Sequence, residues 1–384
     1  MLKIISTLLA AIVTSGSVSS SYAAPTALFQ SDSPLVVILE MPLMQLLRQK
    51  KTDPPIEGVL RYTDTEGRDV ALDMTVSVRG NNRLEQCRYP PLRINLKRKQ
   101  VTATLFAGQN KLKLVTPCGK GSTYRRYLSQ EFKIYRAYNL LTEHSFRVRQ
   151  LEVTFRDPNG RGKDQIQLAF FIESIGNAAA RLNMRTVNVA TVNESQFDSR
   201  QLGIFALFQF MIGNTDWSVL KGPGSEDCCH NGKIVAPSDS IDDWAVLPYD
   251  FDQSGIINAK YASPADGLPI RTVRQRLYRG FCSGNGELDS TIARFVDNRA
   301  AIEDLFGNEP KKSRASKSAL KYLQDFYGII NDSRLRQKKI IAVCRRSAGA
   351  RSELWRLERA NGIEPSSLAW EARVIPLYDA RFWL

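Results

Sequence analysis

Between residues 70 and 78 the chain reads VALDMTVSV, with an apolar side chain at every second position. Val70, Leu72, Met74, Val76 and Val78 face one way; Ala71, Asp73, Thr75 and Ser77 face the other. A period of two predicts a half-buried strand. It closes at Arg79-Gly80-Asn81-Asn82, a turn or loop signal. Strands are also predicted over 35–40, 58–62, 92–97, 111–115, 151–155 and 166–172. One helix interrupts them at 124–141, where Leu128, Phe132, Tyr135 and Tyr138 recur at helical spacing. From residue 201 the pattern turns mainly helical, over 201–212, 288–305, 317–330 and 333–344. A strand-rich half followed by a helical half predicts an α+β protein of two lobes, 24–173 and 174–346, facing across a cleft.

The two ends stand apart from this pattern. Residues 1–23 carry Lys3, a short apolar run from Ile4 to Val13, and the small-x-small triplet Ser21-Tyr22-Ala23. That is the layout of a secretory signal peptide, too short to span a bilayer. Residues 347–384 resemble the translation of a transfer-RNA gene, through RLERANGIEPSSLAWEARVIPLYDAR, and are set aside from the fold. The expected location is outside the inner membrane, periplasmic or extracellular.

Charge and cysteines narrow the class. The full chain carries a net charge of +14, and loss of residues 1–23 removes only Lys3. A basic exported protein favours anionic partners, such as an anionic envelope component or an acidic protein. Nucleic acid is not expected, because no aromatic-basic repeat or nucleic-acid motif appears. Six cysteines in an exported chain permit disulfides in fifteen connectivities. The adjacent Cys228 and Cys229 are not expected to bond to each other. Cys228-Cys229-His230 lacks a second ligand pair at zinc spacing, so a thiolate metal site is not expected either. A monomer is expected.

The segment AVLPYDFDQSG, 245–255, is an apolar run that ends in two acids around an aromatic ring. It closes an ordered series. Lys113 lies on the strand KLKLV, and Glu131 follows eighteen residues later in the first helix. Asp216 follows an apolar helix in IGNTDWS; then come His230-Asn231 and Asp250-Phe251-Asp252. Phosphoryl transfer from ATP uses this inventory: a Lys on the phosphates fixed by a Glu, an Asp on the attacking hydroxyl, and an Asn with a second Asp on magnesium. Lys, Glu, Asp, Asn, Asp is also the order of the protein-kinase signature. Two features depart from it. No Gly-x-Gly-x-x-Gly precedes the Lys, and the residue five after Asp216 is Lys221, with Asn231 fifteen residues on.

Several stretches resemble the spore-coat protein H (CotH) family of secreted, kinase-like proteins. They are VSVRGNN (76–82), PPLRINLK (90–97), LSQEFKIYRAYNLL (128–141), LAFFIES (168–174), FQFMIGNTDWS (208–218), HNGKI (230–234) and LPYDFDQSG (247–255). The resemblance implies a two-lobed protein-kinase-like fold and Mg²⁺- or Mn²⁺-dependent transfer from ATP to a Ser or Thr hydroxyl of a protein. It implies Asp216 as the catalytic Asp, which orients or deprotonates the acceptor hydroxyl, and Asp250 with Asn231 and Asp252 as the metal side. Lys113 with Glu131 is the expected ion pair, and Arg79 and Arg93 are phosphate contacts. Pro90-Pro91 stand where that family often has Lys-Lys. Two other outcomes stay open: a binding protein without catalysis, and transfer of AMP in place of phosphate.

Overall fold

The computed structural model describes residues 22–49, 53–80, 82–222, 228–308 and 313–345. Residues 1–21 of the expected signal peptide (1–23) and the tail from 347 lie outside the described residues. The strands are β1 (Leu35–Glu40), β2 (Ile56–Thr63), β3 (Asp69–Val78), β4 (Leu92–Leu96), β5 (Lys111–Val115), β6 (Val148–Arg156), β7 (Gln165–Ile172), β8 (Met184–Val187), β9 (Gly232–Pro237) and β10 (Ala245–Pro248). The helices are α1 (Leu43–Leu46), α2 (Asn82–Gln86), α3 (Arg98–Val101), α4 (Ser122–Leu141), α5 (Ile175–Arg181), α6 (Ser199–Ile212), α7 (Leu288–Asp297), α8 (Arg299–Gly307), α9 (Arg314–Asn331) and α10 (Ser333–Lys339).

All seven strands expected in the first half are present, and they close into a barrel of order β1-β2-β3-β4-β5-β7-β6. This overturns the expected two-lobed protein-kinase-like fold. The seam is a parallel pairing of β1 with β6, from Leu35 opposite Leu151 to Glu40 opposite Arg156. Every other pairing in the barrel is antiparallel. Alternation along each strand specifies which face is apolar. It does not say whether the first and last edges meet, and closure removes both edges at once. The α+β class holds.

The barrel interior is packed shut. Leu72, Met74, Val76 and Val78, the predicted inner face of β3, join Val37, Ile94, Leu112 and Phe171 in one buried cluster. No chemistry is housed there. A second cluster covers the outer wall of β5, β6 and β7 with α4, then continues through α6 to α9. Leu128, Tyr135 and Tyr138 of α4 are buried in it, while Phe132 packs at its margin.

Two strands of the small sheet, β8 and β9, were not foreseen; its order is β10-β9-β8. It lies between the second cluster and a third one holding Trp217, Cys228, Cys229 and Val246. All four residues of β10 are therefore buried, which explains an unbroken apolar run. The helix expected over 288–305 is broken at Asn298 into α7 and α8.

Leu39 is fully buried on the seam strand. Leu39→Ala should cost about 2–5 kcal/mol of unfolding free energy, read by chemical denaturation. A loss no larger than that of a surface substitution would show that the seam is not integral to the barrel.

Candidate functional site

The site lies outside the barrel, where β3, β4 and β5 face the ends of α6, β9 and β10. Its acids arrive on two loops. Helix α6 stops at Gly213, which takes the left-handed conformation, φ +67°. A Cβ there would stand 2.0 Å from the Tyr322 hydroxyl of α9, so the position needs glycine on two counts. Beyond it the Asn214 side chain accepts from the Asp216 amide at 3.0 Å. Arg276 caps the Phe210 carbonyl at 3.1 Å, and buried Arg279 holds the carbonyls of Thr215 and Trp217.

The second loop follows β10. Gly255 N–H donates to the Gly213 carbonyl and Ile256 N–H to that of Ile212, both at 3.0 Å. The two acid-bearing loops are thus tied backbone to backbone. The antiparallel register sets Gly232 opposite Pro248, so Asn231 enters where Asp250 leaves, and Tyr249 N–H donates to the Asn231 carbonyl at 3.1 Å. Asn231 and Asp250 both have positive φ, +52° and +64°, which Asn and Asp tolerate better than most residues.

Asp216 is held at both oxygens. His230 Nε2 donates to Oδ1 at 2.7 Å; Asn231 Nδ2 donates to Oδ2 at 3.0 Å and to the Asp216 carbonyl at 2.7 Å. Burial lowers the His230 pKa, but the Asp216 hydrogen bond and the charges of Asp216 and Asp250 more than offset it, and the net shift is upward. Asp252 is buried, and burial raises its carboxyl against the opposing pull of Arg83, with Asp250 and Asp216 adding to the rise. Asp216, Asn231, Asp250 and Asp252 are therefore brought to one place. Phe251 is fully buried, 4.7 Å from Tyr135 and 5.8 Å from Phe208 by ring centroid. It anchors the segment between the two acids.

The expected Lys113–Glu131 pair is not what forms. Glu131 pairs with Arg83, Nη1 to Oε2 at 3.5 Å. Arg83 also reaches Asp250 Oδ1 at 3.8 Å and Asp252 Oδ2 at 3.6 Å, and Nη2 donates to the Thr116 carbonyl at 3.2 Å. Burial lowers the Arg83 pKa, yet Asp252 and Glu131 outweigh it, so the guanidinium stays charged. Burial pushes the Glu131 carboxyl up, against Arg83, and Glu131 accepts from the Phe251 amide. Arg83 was not among the expected site residues; it comes directly after the turn read at 79–82. It sits on α2, and the Cys87–Cys118 disulfide ties the end of that helix to the loop before α4.

Lys113 instead lies 4.6 Å from the Tyr249 ring centroid and 5.6 Å from that of Phe146. Its pKa falls to about 7, chiefly by burial, with Arg79, Lys233 and Arg93 lowering it further and Asp250 opposing. Arg93 is its cross-strand partner on β4. Burial also lowers Arg79, which Asp250 partly offsets. Arg79, Arg93, Lys113 and Lys233 form a cationic group beside Asp250; Lys233, on β9, was not foreseen.

The donors suit a hard cation. They are carboxylate and amide oxygens, and buried Asp252 Oδ2 has no hydrogen-bond partner among the described residues. Among those residues no group of three or more His, Cys, Asp or Glu forms a ready metal cage. Magnesium, held by one or two carboxylates, needs none.

The cysteines pair as Cys87–Cys118, Cys228–Cys229 and Cys282–Cys344. The second pair corrects the expectation that the adjacent cysteines do not bond to each other; both are enclosed in the buried cluster of Trp217 and Val219. No helix among the described residues is long and apolar enough to cross a membrane. No protein-family model matches the chain. No curated protein matches it in sequence.

Arg83→Met leaves Glu131, Asp250 and Asp252 without their shared cation and should cost roughly 3–5 kcal/mol. The sign with pH follows from the carboxyls. Unfolded carboxyls lose protons near pH 4, whereas Glu131 and Asp252 hold theirs higher, so folding weakens as pH rises past that point. The gap between wild type and Arg83→Met should widen from pH 4 to pH 8 in thermal melts. A gap independent of pH would remove Arg83 as the neutralising group.

Proposed function

We propose that this chain is an exported phosphotransferase that uses Mg-ATP to modify a protein hydroxyl. One observation supports the reading above the rest: Asp216, Asn231, Asp250 and Asp252 converge beside the cations Arg79, Arg93, Lys113 and Lys233. The motif resemblance to the CotH family points the same way. The barrel lends it nothing, so the reading stands on the site alone.

In this reading the cationic group binds the phosphate chain, whose charge is nearly the whole of the transition state. Asp250, with Asp252 and the Asn231 side-chain oxygen, would hold Mg²⁺, which neutralises charge on the phosphate oxygens when bound. Asp216 orients the acceptor hydroxyl and takes its proton as the new O–P bond forms and the bond from the γ-phosphorus to the β–γ bridging oxygen breaks. His230 and Asn231 keep the Asp216 carboxylate turned to that task. Lys113, near neutrality in its own titration, becomes fully cationic when a phosphate approaches.

The test is incubation with Mg²⁺ and ATP labelled at the γ- or α-phosphate in parallel, with a thermal-shift assay. Label from the γ position on Ser or Thr is expected, together with Mg-dependent stabilisation by ATP that Asp250→Ala abolishes. Asp216→Asn should keep the stabilisation and lose transfer by 100-fold or more. Transfer of α-label would instead make the protein an adenylyl transferase. No shift with ATP in the wild type would leave a binding protein for an anionic envelope component.

A further inference from the structure

We infer that the Cys228–Cys229 disulfide is a positioning device for Asp216, and that its reduction by a dithiol releases the acid. The pair closes no loop beyond its own two residues. Disulfide stabilisation through the unfolded chain grows with loop length, so this bond contributes little to the fold as a whole. Cys87–Cys118 and Cys282–Cys344, at separations of 31 and 62 residues, are the staples. The effect of the adjacent pair is local, and what lies locally is the acid site.

The chain runs from Cys229 directly into His230 and Asn231, with no spacer. Those two residues make three of the side-chain hydrogen bonds that hold Asp216, and Asn214 makes another by accepting from the Asp216 amide. The main chain adds a further link between the two segments, Ser218 N–H to the His230 carbonyl at 3.1 Å. Upstream, Cys228 N–H donates to the Val189 carbonyl at 2.8 Å. Both cysteines are about 95% buried, in one cluster with Trp217 and Val219, which follow Asp216 in the chain. The sulfur pair and the acid are thus coupled through one packed cluster, and interiors transmit displacement of this kind.

Reduction proceeds by thiol–disulfide exchange. One thiolate of the dithiol attacks a sulfur of the pair and the S–S bond breaks. The second thiol then closes the reductant to its own disulfide. Two electrons and two protons pass to Cys228 and Cys229. The two thiols no longer share a bond and separate to van der Waals contact. Within a filled pocket that movement passes to His230 and Asn231. Asp216 then loses its fixed orientation.

The consequence for catalysis rests on the phosphotransfer reading; the structural coupling does not. The experiment therefore reads both, on the full exported chain. Hydrogen exchange by mass spectrometry follows peptides over 214–220 and 229–236 in the wild type, in Cys228→Ser/Cys229→Ser, and in Cys228→Ala/Cys229→Ala. A parallel arm titrates the wild type with dithiothreitol and maps by mass which disulfide has opened. Loss of the adjacent pair should speed exchange of the Ser218 amide at least tenfold and leave barrel peptides unchanged. Mg-ATP stabilisation and γ-label transfer should fall together with it. Unchanged Ser218 exchange in both variants, or in wild type whose 228–229 bond is open, overturns the inference. Faster exchange in a protein that never responds to ATP sustains the coupling and discards only the phosphotransfer reading. If neither variant folds, the dithiothreitol arm alone decides.

Discussion

One buried guanidinium holds the acids of the candidate site together. Arg83 faces Glu131 on α4 and Asp250 and Asp252 on the loop after β10, three carboxylates from two distant parts of the chain. Moving such groups out of water costs several kcal/mol each unless an opposite charge meets them. The contacts of 3.5–3.8 Å are ion pairs and not short hydrogen bonds. Arg83 therefore neutralises the group without locking any single oxygen, and the acids stay open to a further cation. Its own place is secured by the Thr116 carbonyl and by the disulfide next to its helix.

The barrel is the support for this arrangement and not its container. Its interior is filled by aliphatic and aromatic side chains, so polar residues are confined to the outer wall. There β4 and β5 present Arg93 and Lys113 side by side, and α2 hangs from the end of β3. Opposite stand two loops whose backbones bond to each other through Gly213 and Gly255. Tyr322 fills the space beside both glycines, with the Arg276 guanidinium 3.5 Å from its ring centroid. The acids are thus placed by backbone geometry that side chains from α9 and the segment before α7 enforce.

Much of this was legible locally. Clean alternation marked β3, and short apolar runs marked the other barrel strands. Helical spacing found α4, α6 and α9. Asp216, Asn231 and Asp250 were legible as an ordered series ending apolar elements, and the tertiary structure gathers them. Lys113 was legible as a strand lysine, but its partner was not, since no local rule chooses between Glu131 and an aromatic neighbour. Arg83 was invisible, because a five-residue helix of mixed polarity looks like the turn before it.

The sequence by itself determined the apolar face of β3 and the helical stretches of α4, α6 and α9, for those patterns depend on neighbours a few residues away. It also carried the oxygen-rich donor set, since residue type alone sets ligand chemistry. Only the tertiary structure decided that β1 and β6 join, which turns an expected lobe into a closed barrel. It alone decided that Arg83 takes Glu131 and that Cys228 bonds to Cys229. Each of these depends on which side chains the folded chain brings together, and that is not written in the spacing of apolar and polar residues.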